Sequence, residues 1–230
     1  TTSRIARAAG SVSIAVLLSR VLGLVREQIF AGLFGAGFAY DAFVVAFRVP
    51  NLLRDLFGEG ALSAAFVTVF TDYSINKGEK ETWRLASNVL VFFAILISLL
   101  TLVAISFADP IVNLLAADFR TIPGKQELTV YLTRIMLPFL FFVSLAAVVM
   151  GMLNTKGKFF IPALSSSFFN LGSIVGGLFL AWLLPHFGQA AIVGMAWGTL
   201  LGGAMQLIMQ IPTLRRAGFR FQLTLDLKNE

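Results

Sequence analysis

"FRVPNLLRDLFGEGALSAAF", residues 47–66, reads as an apolar helix, yet it carries Arg48, Arg54, Asp55 and Glu59 together with Pro50, Gly58 and Gly60. Placing a charged side chain at the centre of a bilayer helix costs about 2.5–3.5 kcal/mol on insertion scales. If the stretch lies in a membrane, its charges face protein or a hydrated cavity rather than lipid. The fold therefore turns on whether the flanking sequence is membrane-spanning.

The flanks answer in favour of a membrane. Of 230 residues, 57% are hydrophobic and 23 are Phe, and the mean hydropathy is +0.84. A soluble domain with this composition could not cover its surface. Several apolar runs reach the ~20 residues a spanning helix needs. They are continuous rather than alternating, which argues against a β-barrel. Arg4 and Arg7 precede the first run, as in a secretory signal. No small-residue cleavage site follows, so the segment reads as a mature helix. The absence of Cys excludes disulfide and thiolate chemistry. The net charge of +6 sits mainly in short connections. It reports topology, and no nucleic-acid partner is expected.

Six spans are predicted, at about 11–33, 40–71, 84–108, 127–152, 160–184 and 189–212. The fold class is an all-α polytopic membrane protein, with a six-helix bundle over 1–213. Residues 214–230 read as the start of a linker. "FRFQLTLDL", residues 219–227, alternates apolar and polar side chains and suggests extended structure; more protein is expected beyond it. Of 18 basic residues, 11 fall on one side of this arrangement: Arg4, Arg7, Lys77, Lys80, Arg84, Lys156, Lys158, Arg215, Arg216, Arg220 and Lys228. Only Arg120 and Lys125 fall on the other side. By the positive-inside rule both ends of the chain are cytoplasmic.

The remaining basic residues, Arg20, Arg26, Arg48, Arg54 and Arg134, lie inside predicted spans. Arg134 sits near an outer helix end, where snorkelling explains it, and Pro138 bends the helix one turn on. In "SRVLGLVRE" Arg20 and Glu27 share a face around Gly23, while Arg26 points roughly 120° away in a regular helix. Arg26 therefore meets another helix or marks an irregularity. Asp41, Arg48 and Asp55 follow at seven-residue spacing, with Glu59 four further on. Satisfied pairs, Asp41 with Arg48 among them, are one reading. A hydrated cavity whose arginines clamp a phosphate bidentately is the other. Pro50, Gly58 and Gly60 weaken the helix, and "GEGALSAA" offers a small-residue surface for sliding contacts.

Weaker signals add packing rather than chemistry. Gly172 with Gly176, and Gly198 with Gly202, have G-x-x-x-G spacing. Asn170 and Gln206 read as buried hydrogen-bonding residues. His186, the single histidine, has no metal-ligand companions, and Ser165, Ser166 and Ser167 have no histidine partner. No nucleotide-binding or zinc-protease motif occurs. No cofactor, metal or catalytic residue is expected, and an enzyme is poorly supported.

"SRVLGLVREQIFAGLFGAG", "YDAFVVAFRVPNLLRDLFGEGALSAAFV", "GMLNTKGKFFIPA" and "QLIMQIPTLRRAGF" together resemble the MurJ (MviN) family of lipid II flippases, within the MATE-like exporter superfamily. The resemblance covers essentially the whole chain. It implies one lobe of a two-lobed, fourteen-helix alternating-access transporter in the bacterial cytoplasmic (inner) membrane. This chain corresponds to helices one to six. The C-terminal lobe, the lipid-tail groove of helices thirteen and fourteen, and an essential arginine of helix eight fall outside it. The implied substrate is lipid II, an undecaprenyl-diphosphate disaccharide-pentapeptide, moved between leaflets for peptidoglycan synthesis. The implied partners are the second lobe, membrane lipids and cell-wall synthesis proteins. Matching the family's essential positions assigns Arg20, Arg26 and Arg54 to substrate binding. Glu27, Asp41, Arg48, Asp55 and Glu59 become gating or ion-pair residues. The alternatives are a MATE-like exporter of another substrate and a non-transporting scaffold lobe in cell-wall assembly.

Overall fold

The structure, a computed structural model, describes residues 2–58 and 61–222, with side chains placed at 10–55 and 66–222. Apart from turns these residues are helical. The helices are α1 (Thr2–Phe34), α2 (Phe38–Gly58), α3 (Ala61–Asn76), α4 (Glu79–Ser106), α5 (Ala108–Leu115), α6 (Lys125–Met136), α7 (Phe139–Thr155), α8 (Phe160–Leu183), α9 (Ala191–Ile208) and α10 (Ile211–Arg216). Among the described residues four stretches are long and apolar enough to cross a membrane: Glu79–Ser106, Lys125–Thr155, Phe160–Phe187 and Ala191–Arg216. The fold is that of a multi-pass helical membrane protein. The charge-bearing helices α1 to α3 come before these four.

Three local features differ from the sequence reading. Across the predicted span over 40–71 the described residues form two helices, α2 and α3, with Glu59 and Gly60 between them outside the described residues. Pro50 does not end the first of them: α2 continues through it to Gly58, because the buried ring removes only the bond to the Ala46 carbonyl. Glu59, Gly60 and the side chains of the small-residue run 61–65 lie outside the described residues. The predicted span over 127–152 is also two helices, and here Pro138 acts as expected. It has no N–H for the Arg134 carbonyl, and the chain tightens through Leu140 N–H to Leu137 O at 3.0 Å and Phe141 N–H to Pro138 O at 3.1 Å. Finally, the stretch 109–126, expected to be a loop, is largely structured. Ala108 and Val112 of α5 are buried with Val130 of α6. Gly124, in a left-handed conformation (φ 79°), then starts α6.

The bundle is centred on α8 and α9, its most extensive helix pair. Their glycines explain the intimacy. A Cβ on Gly172 would lie 3.1 Å from the Cα of Gly202, and one on Gly198 would lie 2.5 Å from the backbone nitrogen of Gly177. Only hydrogen at these positions lets the backbones meet. α1 lies along α8, where Asn170 Nδ2 donates to the Ser19 carbonyl at 3.0 Å beside Gly23. α2 packs on α6 and α7.

Two apolar clusters fix the ends. One joins α3, α4, α7 and α10 through Phe70, Trp83, Met152 and Leu214, and it also buries Phe219. The other joins α1, α2, α6 and α9 through Phe30, Ala42, Met136 and Met195. The first marks a basic end: Lys156 Nζ lies 5.1 Å from the Trp83 ring centroid and donates to Ser74 Oγ at 2.9 Å. Residues 219–222 have no regular secondary structure. They are nonetheless docked, with the Gln222 amide donating to Ser87 Oγ at 3.2 Å. Residues 223–230, the remainder of the alternating tail, lie outside the described ones.

Candidate functional site

The embedded charges separate into three environments. Arg26 is the most enclosed, its side chain only 13% exposed. Its guanidinium leaves α1 and wedges between α2 and α8, 5.6 Å from the Phe47 ring centroid and 4.9 Å from that of Phe169. The two π faces stabilise a cation without neutralising it. Its one ion-pair contact among the described residues is with Glu27 at 4.0 Å, and Glu27 is itself 67% exposed. Arg26 therefore meets other helices, one of the two possibilities its position left open, and Glu27 contacts Arg26 rather than Arg20.

Arg54 is half-buried on α2. Its Nε and Nη2 both donate to Asp55 Oδ1, at 3.2 and 2.9 Å. It lines a small pocket of about 240 Å³ that also receives Ser165, Ser166 and Gln206. Arg20 and Arg48 are exposed on the surface of the bundle, with no ion-pair partner among the described residues. Arg134 is exposed as well.

Asp41 does not pair with Arg48. Its Oδ2 accepts a hydrogen bond from Lys125 Nζ at 2.8 Å, and the lysine side chain is only 7% exposed against 49% for Asp41. Lys125 also lies 4.3 Å from the Phe119 ring centroid. This pair joins the start of α2 to the start of α6, at the end opposite the basic one. Next to it, Asp109 accepts from Arg120 Nη2 and Gln126 Nε2, both at 3.0 Å. Sequence reading placed Lys125 in an outer loop. Its one signal was a lysine in the first turn of a helix, where the macrodipole disfavours a cation and a tertiary partner is needed. Phe47 and Phe169 were missed too, because apolar residues in a span look alike until the tertiary fold brings a guanidinium to them. Among the described residues no group of His, Asp and Glu has the makings of a metal site.

The Asp41–Lys125 contact is testable by a double-mutant cycle. Asp41→Asn and Lys125→Met are each expected to destabilise, Lys125→Met more because its stem is also buried. Their coupling is expected near 1 kcal/mol, read from thermal unfolding in detergent. Additive effects would remove the pair from the interactions that hold α2 to α6.

The geometry describes one class of protein: a multi-pass helical bundle with an enclosed, weakly paired arginine, Arg26, on its first helix and a half-buried one, Arg54, on its second. The comparisons place it within that class. The family described as "Lipid II flippase MurJ" matches residues 30–230, and the chain belongs to this family. It is 37% identical to "Probable lipid II flippase MurJ" of Buchnera aphidicola subsp. Acyrthosiphon pisum over 204 residues, covering 89% of this chain and 39% of that protein. It is also 37% identical to "Lipid II flippase MurJ" of Burkholderia cenocepacia over 210 residues, covering 91% of this chain and 40% of that one. Among solved structures it is similar to "Lipid II flippase MurJ, inward closed conformation", with a TM-score of 0.71 and 32% identity over 93% of this chain and 43% of the other. The chain spans about two fifths of the length of the relatives it matches.

Proposed function

We propose that this chain is the first lobe, over residues 1–213, of a two-lobed lipid II flippase of the bacterial cytoplasmic membrane, with 214–230 leading to the second lobe. In this reading α1, α2 with α3, α4, α6 with α7, α8, and α9 are six spans. The basic end, with Lys77, Lys80, Lys156, Lys158, Arg215, Arg216 and Arg220, faces the cytoplasm. Membership of the family supports the substrate class. The observation that carries the site is Arg26, enclosed by Phe47 and Phe169 and, among the described residues, ion-paired only with the exposed Glu27 at 4.0 Å.

The mechanism uses electrostatics rather than covalent chemistry. Arg20, Arg26 and Arg54 receive the diphosphate, and so lower the cost of holding a charged headgroup between leaflets while the prenyl tail stays in lipid. Glu27 and Asp55 hold the guanidiniums when no substrate is present. Asp41, Arg48 and Glu59 exchange partners as the lobes rock, and the Asp41–Lys125 contact closes the end opposite the cytoplasm.

Native mass spectrometry of the full-length protein with lipid II tests this, with undecaprenol as the phosphate-free control. Lipid II is expected to be retained and undecaprenol not. Arg54→Ala is expected to weaken lipid II by at least tenfold, since charge-assisted contacts to phosphate are worth about 1.5–3 kcal/mol. Equal retention of the two lipids would remove the arginines from substrate recognition.

A further inference from the structure

A second cavity lies away from the arginine site. A cleft of about 1020 Å³ opens between α4, α7, α9 and α10, at the upper end of the size range of about 300–1,000 Å³ that ligand pockets occupy. Its walls are apolar, with Leu90, Ala94, Val149 and Leu207 among them, and Arg215 and Arg220 line it beside the α10 terminus. Ile95 is both part of the lining and 54% exposed. It belongs to an outward stripe of α4 that also contains Phe92, Leu99 and Leu102. In a helix long enough to span, such a stripe is a contact surface for lipid or for another part of the protein. The cleft opens on this apolar outer face of α4.

Its other end is cationic. Arg215 and Arg220 are exposed and have no ion-pair partner among the described residues. Of the acids of α4, Glu81 pairs with Arg84 at 4.0 Å, while Glu79 accepts from the Trp83 indole at 3.3 Å and keeps its charge beside Gly218, without an ion pair to either arginine. The arrangement is an apolar slot lined at one end by two guanidiniums that have no ion-pair partner among the described residues.

We propose that this cleft binds one anionic diacyl phospholipid, its acyl chains against α4 and α7 and its phosphate between Arg215 and Arg220. Basic pockets between spanning helices at the cytoplasmic side select anionic headgroups. A zwitterionic headgroup would bring its own ammonium towards the arginines and forfeit the selectivity. Bound in this way, the lipid braces the 214–222 segment, which leaves the bundle here, against α4. The inference rests on the membrane fold and not on the identity of the transported substrate.

Native mass spectrometry of the full-length protein delipidated in detergent reads the result. Phosphatidylglycerol is expected to be retained roughly tenfold or more over phosphatidylethanolamine. Arg215→Ala with Arg220→Ala is expected to bring the two lipids to parity. Arg216→Ala, which removes one charge outside the cleft, should leave the preference intact. Ala94→Phe fills the slot while keeping both arginines, and is expected to reduce phosphatidylglycerol retention without changing the elution volume of the folded protein. A preference that survives the double arginine substitution would overturn the proposal. So would equal loss on Arg216→Ala, or displacement of phosphatidylglycerol by an equimolar amount of undecaprenyl phosphate, which would assign the cleft to a prenyl chain.

Discussion

Replacing Arg26 by alanine in the full-length protein is expected to lower lipid II affinity by about 30- to 100-fold and to abolish flipping in proteoliposomes, while leaving thermal stability unchanged or slightly raised. The two halves of this expectation have different causes. A guanidinium enclosed by protein is desolvated, and Arg26 recovers only a 4.0 Å contact to an exposed Glu27 and two aromatic faces. Cation–π contacts return about 0.5–2 kcal/mol each. Desolvating an ion costs several kcal/mol, so removing a poorly paired buried charge need not destabilise. A diphosphate that has come to rely on that charge loses about 2–3 kcal/mol when it goes, within the range for truncating one partner of a buried charged contact. Arg26→Lys is expected to recover little, because a compact ammonium cannot lie flat between Phe47 and Phe169 and still present a fork to phosphate. A large loss of thermal stability in Arg26→Ala, with binding falling only in proportion, would make Arg26 a structural residue. The measurement is paired: unfolding temperature and lipid II binding on the same preparations.

The largest effect on the fold is expected at Gly198. A Cβ there would lie 2.5 Å from the backbone nitrogen of Gly177 and 2.8 Å from the carbonyl oxygen of Ser173. Both obstacles are backbone of α8, so no side chain can rotate aside. Gly198→Leu forces α8 and α9 apart along the most extensive contact in the bundle, and α1 moves with α8 through Asn170 and Ser19. Overpacking a well-filled core costs about 1–3 kcal/mol, occasionally more. A leucine against backbone on both sides is expected at or above the top of that range, and the monodisperse peak should disappear on size exclusion in mild detergent. Gly32→Ala is the control, because a Cβ there meets nothing within 4 Å. It should be neutral, or stabilising by up to about 1 kcal/mol through helix propensity. A folded Gly198→Leu protein with unchanged unfolding temperature would mean that α8 and α9 do not meet as closely as described.

The sequence alone determined the solvent in which this chain folds and most of its helices. Runs of apolar residues longer than a bilayer is thick leave no other economical structure, and basic residues clustered in alternate connections give that structure two unlike ends. It also marked α8 and α9 as closely packing helices, because glycine at i and i+4 is a local pattern with a local cause; that they pack on each other was decided by the tertiary structure. Pro138 was legible as a bend for the same reason: the missing N–H acts one turn away. Pro50 was not, since an identical covalent defect is absorbed when the surrounding packing holds the helix in place.

Only the tertiary structure decided which charges meet. By sequence spacing, Asp41 belonged to a stripe with Arg48 and Asp55; in space its carboxylate is taken by Lys125, 84 residues away. That changes the balance at the candidate site. With Asp41 engaged by Lys125, Arg48 has no ion-pair partner among the described residues, which spacing along the chain could not reveal. The aromatic faces around Arg26 come from α2 and α8, and the cleft capped by Arg215 and Arg220 is walled by four helices. Periodicity fixes which face of a helix a residue occupies. Which partner that face meets depends on long-range packing, and the energy of a charge in a membrane depends almost wholly on that partner.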